Sequence, residues 1–231
     1  METRYLRNYS AVSIEEQYLL REKRVAIIGL GGLGGCVSEC LGRLGVGKMT
    51  LVDGDIFEQS NLNRQLLATS TLIGQPKVVA ACQRLTEINP LVNTNPVQRR
   101  LTAENAVGIL AGHHVVVDAL DNIPDRLILE HAASRLRIPL VHGAIAGWCG
   151  QICTVMPGDD TLQYLYGDVQ GSGSGTENEL GNLSFTATAI AALQAAETVK
   201  VLLGRGVLTR RMLLQADLLN NRYEQIPLLL P

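Results

Sequence analysis

Asn61, Asn63, Arg64 and Gln65 fall within one hexapeptide, SNLNRQ (60–65), and Lys77 opens the helical segment that follows. Amide, guanidinium and ammonium donors packed this densely can reach along a polyphosphate chain. Arg engages phosphate oxygens two at a time, and Lys adds a compact point charge. Upstream, Gly29, Gly31 and Gly34 form G-x-G-x-x-G inside the run GLGGLGG, which also contains Gly32. Bare backbone there lets peptide N–H groups approach phosphates, and a helix N-terminus favours negative charge. Asp53, 19 residues beyond Gly34 (53 − 34), stands where a carboxylate can accept from ribose hydroxyls. The glycine pattern alone does not separate NAD from ATP, and tight helix–strand packing is its other use. A dinucleotide, however, has only a pyrophosphate enclosed between two nucleosides. The donors beyond the glycine loop exceed that need and fit a triphosphate better.

Such groups converge only if a scaffold delivers them to one edge. RVAIIGL (24–30) is a short apolar run rich in Val and Ile, the mark of a strand buried on both faces. A glycine-rich turn and helix (31–45) and a second strand, KMTLVD (48–53), complete a βαβ unit. SIEEQYLLRE (13–22) predicts a helix with a capping box of Ser13 and Glu16. PKVVAACQRLTEIN (76–89) predicts a helix with Pro76 in its first turn. NTNPVQRRL reads as a strand, and HHVVVDAL (113–120) as a buried strand running into acids. DRLILEHAASRLR (125–137) is helical, and PLVHGAIAGWCGQICTVM (139–156) forms two strands about a glycine-rich bend. Residues 158–182 are polar, glycine-rich and without periodicity, and predict a long mobile loop. The helix at 184–204 has an uncharged, buried first half, and the last residues give two strands joined at Asn220–Asn221. Neither a repeat nor a linker interrupts the α/β pattern, so 1–231 reads as a single domain.

Composition removes several classes. The chain of 231 residues is 46% hydrophobic with a net charge of −2, so charge gives it no general affinity for nucleic acid. Aromatic residues make up 4%, too few for base-stacking platforms. The absence of an unbroken 18-residue apolar stretch predicts no membrane span, and METRYLRNYS lacks the apolar core of a secretory signal. Five cysteines (Cys36, Cys40, Cys82, Cys149 and Cys153), with no C-x-x-C pair, fit reduced thiols in the cytoplasm. His113, His114 and His131 read as structural or solvated. His142 lies near the strand ends without an evident partner, and Asp118 reads as a strand-end acid.

RYLRN near the start, GLGGLG, VDGDIFEQSNLNRQ, GQPK, ALDN with Arg126 beyond it, and LQAAETVKVLLG run in order from residue 4 to about residue 204. Together they resemble the ThiF/MoeB/HesA family, bacterial relatives of ubiquitin-activating enzymes. The resemblance implies a Rossmann-like, mostly parallel sheet with helices on both faces and an antiparallel C-terminal extension. It implies MgATP-dependent adenylation of the C-terminal glycine carboxylate of a ubiquitin-like sulfur-carrier protein ending in Gly-Gly, in thiamin or molybdopterin-type sulfur transfer. ATP would contact Gly29, Gly31, Gly32 and Gly34. Asp53 would hold the ribose, and Asn61, Arg64 and Lys77 the phosphates, with Gln65 in support. Asp121 would bind Mg²⁺, and Arg7 would act on the neighbouring subunit's triphosphate in a homodimer. The segment 158–182 would be the crossover loop that closes over the carrier's tail.

Two departures narrow this expectation. The paired C-x-x-C motifs that hold structural zinc in many members are missing, so zinc is not expected. No cysteine follows Cys153, which argues against a covalent sulfur-transfer step in the crossover loop. Two other readings stand beside the first: a member that activates a different acid or amide, such as a peptide or a modified tRNA base, and an NAD-dependent oxidoreductase.

Overall fold

Valine and isoleucine in short runs, each followed by a helical segment, dictate strands that must be covered on both sides. The computed structural model describes residues 2–167 and 180–229. Its elements in chain order are α1 (Ile14–Glu22), β1 (Arg24–Ile28), α2 (Gly32–Leu44), β2 (Lys48–Val52), α3 (Lys77–Ile88), β3 (Asn93–Val97), α4 (Ala103–Leu110) and β4 (Val115–Asp118). There follow α5 (Ile123–Arg135), β5 (Leu140–Ala146), β6 (Cys149–Val155), α6 (Thr161–Tyr166), α7 (Ser184–Leu203), β7 (Met212–Asp217) and β8 (Arg222–Pro227).

The strands form one sheet in the order β3-β2-β1-β4-β5-β6-β7-β8. From β3 to β5 all pairings are parallel; β6, β7 and β8 add in antiparallel fashion. This is the mixed sheet with an antiparallel C-terminal extension that the motifs imply. Alternation along β1 assigns the two faces. Val25 and Ile27 belong to a core cluster with residues of α2, α3 and α7, whereas Ala26 and Ile28 pack with residues of α4 and α5. By length and composition α7 could cross a membrane, yet half of it is buried inside the protein, packed on α2, β5 and β6.

Local signals place the element ends. Ser13 Oγ accepts from Glu16 N at 3.2 Å while the Glu16 carboxylate accepts from Ser13 N at 2.8 Å, closing the capping box at α1. Asn122 caps α5 through Asp125 N at 2.9 Å, so this helix starts ahead of the expected Asp125. Pro76 is the residue before α3 rather than part of its first turn. In the last hairpin the Asp217 carboxylate accepts from the amides of Leu219 and Asn220, and Asn221 takes the left-handed conformation at φ 55°.

The expected loop at 158–182 needs correction. Residues 161–166 form α6, while the rest of that expectation over 168–179 lies outside the described residues. Contacts remote in sequence build this helix. The buried Glu130 carboxylate of α5 accepts from Leu162 N at 2.6 Å and Gln163 N at 2.8 Å, satisfying amides of the first turn. Just before it, Asp159 is held by Arg210 through two hydrogen bonds of 2.7 Å. Local periodicity carries no trace of either partner.

Candidate active site

The chain leaves β1 for α2 on one face and leaves the adjacent β4 for α5 on the other. A crevice therefore opens at the carboxyl ends of these strands, where open α/β sheets bind ligands. A cavity of about 620 Å³ lies there. Gly29, Gly31, Gly32, Asp53, Arg64, Gln65, Lys77 and Asp121 all line it. Asp55, Arg99, Arg100, Asn122, Arg126 and Asn182, for which the sequence reading assigned no site role, line it too.

Gly29 adopts φ +90°, and a Cβ on it would come within 2.5 Å of the Ala119 carbonyl oxygen. The glycine loop and the loop after β4 thus touch backbone to backbone. Gly34 does not line the cavity. It faces Gly29 instead, and a Cβ there would run into the Gly29 carbonyl. Its role is close packing of α2 on the loop. Gly34→Ala is expected to destabilise the protein by about 1–3 kcal/mol through overpacking. A thermal melt with an unchanged midpoint would show that the loop can yield.

Asp53 fixes the loop from the side. Its Oδ2 accepts from Leu30 N at 2.7 Å and its Oδ1 from Asp55 N at 2.8 Å. Burial pushes the Asp53 carboxyl up from its ordinary range, against the pull of Lys77. Lys77 Nζ lies 4.0 Å from Asp53 Oδ2 and 3.2 Å from Asp55 Oδ2, with its side chain only 8% exposed. Asp55 also meets Arg100 at 3.3 Å. Partial burial works against the Asp55 charge, but Lys77 and Arg100 together hold its carboxyl below the usual range.

The hexapeptide divides its tasks. Arg64 is half-buried on the cavity wall and donates to Ser60 O and Asn63 Oδ1, both at 2.9 Å. Gln65 is buried, and its Oε1 meets no hydrogen-bond partner among the described residues. An acceptor in that state beside a cavity fits a ligand donor. Asn182 Oδ1 is in the same condition. Asn61 is buried but does not line the cavity. Its Oδ1 accepts from Glu58 N at 3.0 Å and caps the 3-10 turn Gln59–Asn61 from which Arg64 and Gln65 emerge.

Asp121 forms the opposite wall and is exposed. Among the described residues, no three His, Cys, Asp or Glu side chains gather into a group that could hold a metal. A single exposed carboxylate still suits Mg²⁺, a hard cation that keeps several waters and takes further oxygens from substrate phosphates. The donor set on this wall is compatible with that ion.

Below Asp121 the structure corrects the reading of His142. It is fully buried and has two partners: Nδ1 lies 2.7 Å from Asp118 Oδ2, and Nε2 lies 3.1 Å from Tyr166 Oη. Register alignment of β4 with β5 sets Asp118 directly beside His142. Tyr166 escaped the sequence reading because it stands on α6, inside the expected loop. His113 and His114 do serve structure: His113 Nε2 bonds Thr50 Oγ1 at 2.8 Å, and His114 Nδ1 accepts from Arg24 N at 3.0 Å.

Arg7 is exposed and is not brought to this cavity. Its arm is pinned elsewhere. Tyr5 packs against Gly45 and accepts from Asn89 Nδ2 at 2.8 Å, while Arg4 donates to Asn89 Oδ1 at 2.7 Å. Gly45 closes the far end of α2, about 20 Å along the helix from the glycine loop.

A glycine loop at the switch point of a mostly parallel sheet, with a buried carboxylate and several cations around one cavity, defines a Rossmann-like α/β protein. Residues 5–230 match the ThiF family, and the chain belongs to that family. It is 36% identical over 220 residues to the SAMP-activating enzyme E1 of Haloferax volcanii, covering 94% of this chain and 80% of that protein. It is 37% identical over 222 residues to the sulfur carrier protein adenylyltransferase of Thermus thermophilus, covering 93% and 82%. In fold it is similar to Escherichia coli MccB in its complex with MccA-N7isoAsn, with a TM-score of 0.86 at 18% identity over 99% of this chain and 72% of that one.

Proposed function

We infer that this protein is an ATP-dependent adenylyltransferase that activates the C-terminal glycine carboxylate of a ubiquitin-like sulfur carrier. One observation carries the reading: Arg64, Lys77 and Asp121, on three separate elements, meet the glycine loop around one cavity. The names of the relatives from Haloferax and Thermus, at over a third identity and nearly full coverage, point the same way.

The chemistry follows from the groups. A carboxylate is a poor electrophile at neutral pH. Attack of its oxygen on the α-phosphorus of ATP forms a mixed anhydride and releases pyrophosphate, so the protein must align reactants and stabilise charge. Asp53 accepts from the ribose, and the N–H groups at the start of α2 face the phosphates. Lys77, which without a nucleotide answers to Asp53 and Asp55, turns its charge to the phosphoryl oxygens. Arg64 adds a two-pronged donor. Asn61 contributes by holding the turn that presents Arg64 and Gln65. Mg²⁺ held by Asp121 would neutralise charge on the phosphates and departing pyrophosphate. Arg7 serves the site of a second copy in a homodimer, and the free cysteines suit a reducing cytoplasm.

Calorimetry is expected to register binding of MgATP and none of NAD. Pyrophosphate exchange into ATP is expected to start only when a carrier ending in Gly-Gly is added. Tight NAD binding, or exchange with no carrier dependence, would defeat this assignment.

A further inference from the structure

Behind the Asp121 wall lies a set of polar side chains that the adenylation scheme leaves unused. Asp118 and His142 are completely buried, and Arg126 nearly so. Their hydrogen bonds run in one line. Gln151 Nε2 donates to Tyr166 Oη at 2.7 Å, and Tyr166 Oη lies 3.1 Å from His142 Nε2. His142 Nδ1 lies 2.7 Å from Asp118 Oδ2, and Asp118 Oδ1 accepts from Leu120 N at 3.0 Å. With the buried His142 ring neutral and its Nδ1 facing a carboxylate, one proton arrangement satisfies these contacts. The carboxylate requires a donor at His142 Nδ1, so Nε2 of the neutral ring accepts, and the Tyr166 hydroxyl donates to it while accepting from Gln151. Burial lowers the His142 pKa and pushes Tyr166 up to about 12, which keeps both groups neutral.

The line ends on the residue next to Asp121, and that residue is gripped twice. Leu120 gives its N–H to Asp118, and its carbonyl accepts from Arg126 at 2.6 Å. The Arg126 guanidinium lies 3.9 Å from Asp118 Oδ2 and 5.7 Å above the Tyr166 ring. Tyr166 therefore touches both arms of the grip, through His142 on one side and Arg126 on the other. The preceding residue, Ala119, is the one whose carbonyl crowds Gly29. A displacement at Leu120 would reach the metal carboxylate and the glycine loop together.

We propose that Tyr166, His142 and Asp118 are positioning residues, a relay by which the seating of α6 fixes the Leu120–Asp121 backbone and so the placement of the nucleotide's metal-bearing phosphates. None of the three lines the cavity, so each acts through Leu120. A hydrogen-bonded chain through a low-dielectric interior holds direction well, since every member polarises the next. The proposal rests on the nucleotide reading of the cavity only in its last clause. The coupling of α6 to Leu120 stands without it.

Tyr166→Phe keeps the ring over Arg126 and removes only the hydroxyl. His142→Asn keeps a donor near the Nδ1 position and removes the link to Tyr166. The first readout is amide hydrogen exchange of the full-length protein without ligand. Both variants are expected to speed exchange at Leu120 about tenfold while amides of β1 and α2 keep their rates. The second readout is nucleotide binding and turnover. ATP binding without metal should stay within about twofold, while the gain in affinity from added Mg²⁺ shrinks and kcat for pyrophosphate exchange falls about tenfold at unchanged carrier KM. The double variant should be no worse than either single one, because both cut the same bond. Unchanged exchange at Leu120 would overturn the relay. Equal acceleration at every amide would also overturn it, by making the network a general stability element. A wild type that binds no MgATP would remove the nucleotide reading and leave the Leu120 amide to decide the relay alone.

Discussion

Lys77→Ala is expected to lower adenylate formation a few hundredfold while the protein remains folded. The lysine opens α3, and its ammonium is nearly enclosed between Asp53 and Asp55. Two effects compete in the variant. Losing the cation leaves two carboxylates facing one another, which destabilises the region. Arg100 still answers Asp55, and Asp53 still accepts two backbone amides, so neither acid is abandoned. The catalytic loss is the larger effect. A fixed charge aimed at a transferring phosphoryl group is worth about 3 kcal/mol, which is a few hundredfold in rate. Lys77→Arg is expected to rescue little, because the space beside Asp53 suits a compact ammonium rather than a planar fork. Single-turnover kinetics at saturating MgATP separate the two effects. A variant with a lowered melting midpoint but the wild-type rate would take Lys77 out of the chemistry.

The glycine loop, Asp53, Arg64, Gln65 and Lys77 were legible because each belongs to a local pattern with a physical reason for its spacing, whereas Asp121 was singled out only through the family resemblance of ALDN; all of them line one cavity, Gly34 of the G-x-G-x-x-G pattern excepted. Strand runs of Val and Ile and the helix-capping residues were legible for the same reason. What escaped was long-range. The turn at α6 exists because Glu130 and Arg210, distant in the chain, supply its partners. His142 gained a role only when parallel pairing of β4 and β5 put it beside Asp118. Asn182 and Asp55 are ordinary polar residues until the sheet order turns them toward one cavity. Asn61 was legible as important, yet its Oδ1 is spent on the turn rather than directed to the cavity. Asn61 shows that a polar residue in a motif can shape backbone rather than line the cavity, and pattern alone does not separate the two.

Mixing Arg7→Ala protein with Lys77→Ala protein is expected to restore activity that neither has alone. The arm that carries Arg7 is bound near Gly45 and Asn89, at the opposite end of α2 from the glycine loop. To serve its own site, the arm would have to abandon the contacts of Arg4 and Tyr5 with Asn89 and cross about 20 Å. In a two-fold dimer no such detachment is required, because the arm of one copy can lie against the cavity of the other, and symmetry makes the exchange reciprocal. Arg7 would then act in trans as an arginine finger, adding charge stabilisation that is absent from the isolated chain. The mixed dimer has one site with both lesions and one with none. Random reassortment of equal amounts makes about half the dimers mixed, each with one good site of two, so roughly a quarter of wild-type activity returns. If Arg7 acts on its own chain, each site in the mixture keeps one lesion and nothing returns. A monomer in solution with full activity would exclude the trans arrangement without any mixing, so sedimentation at assay concentration belongs beside the kinetic measurement.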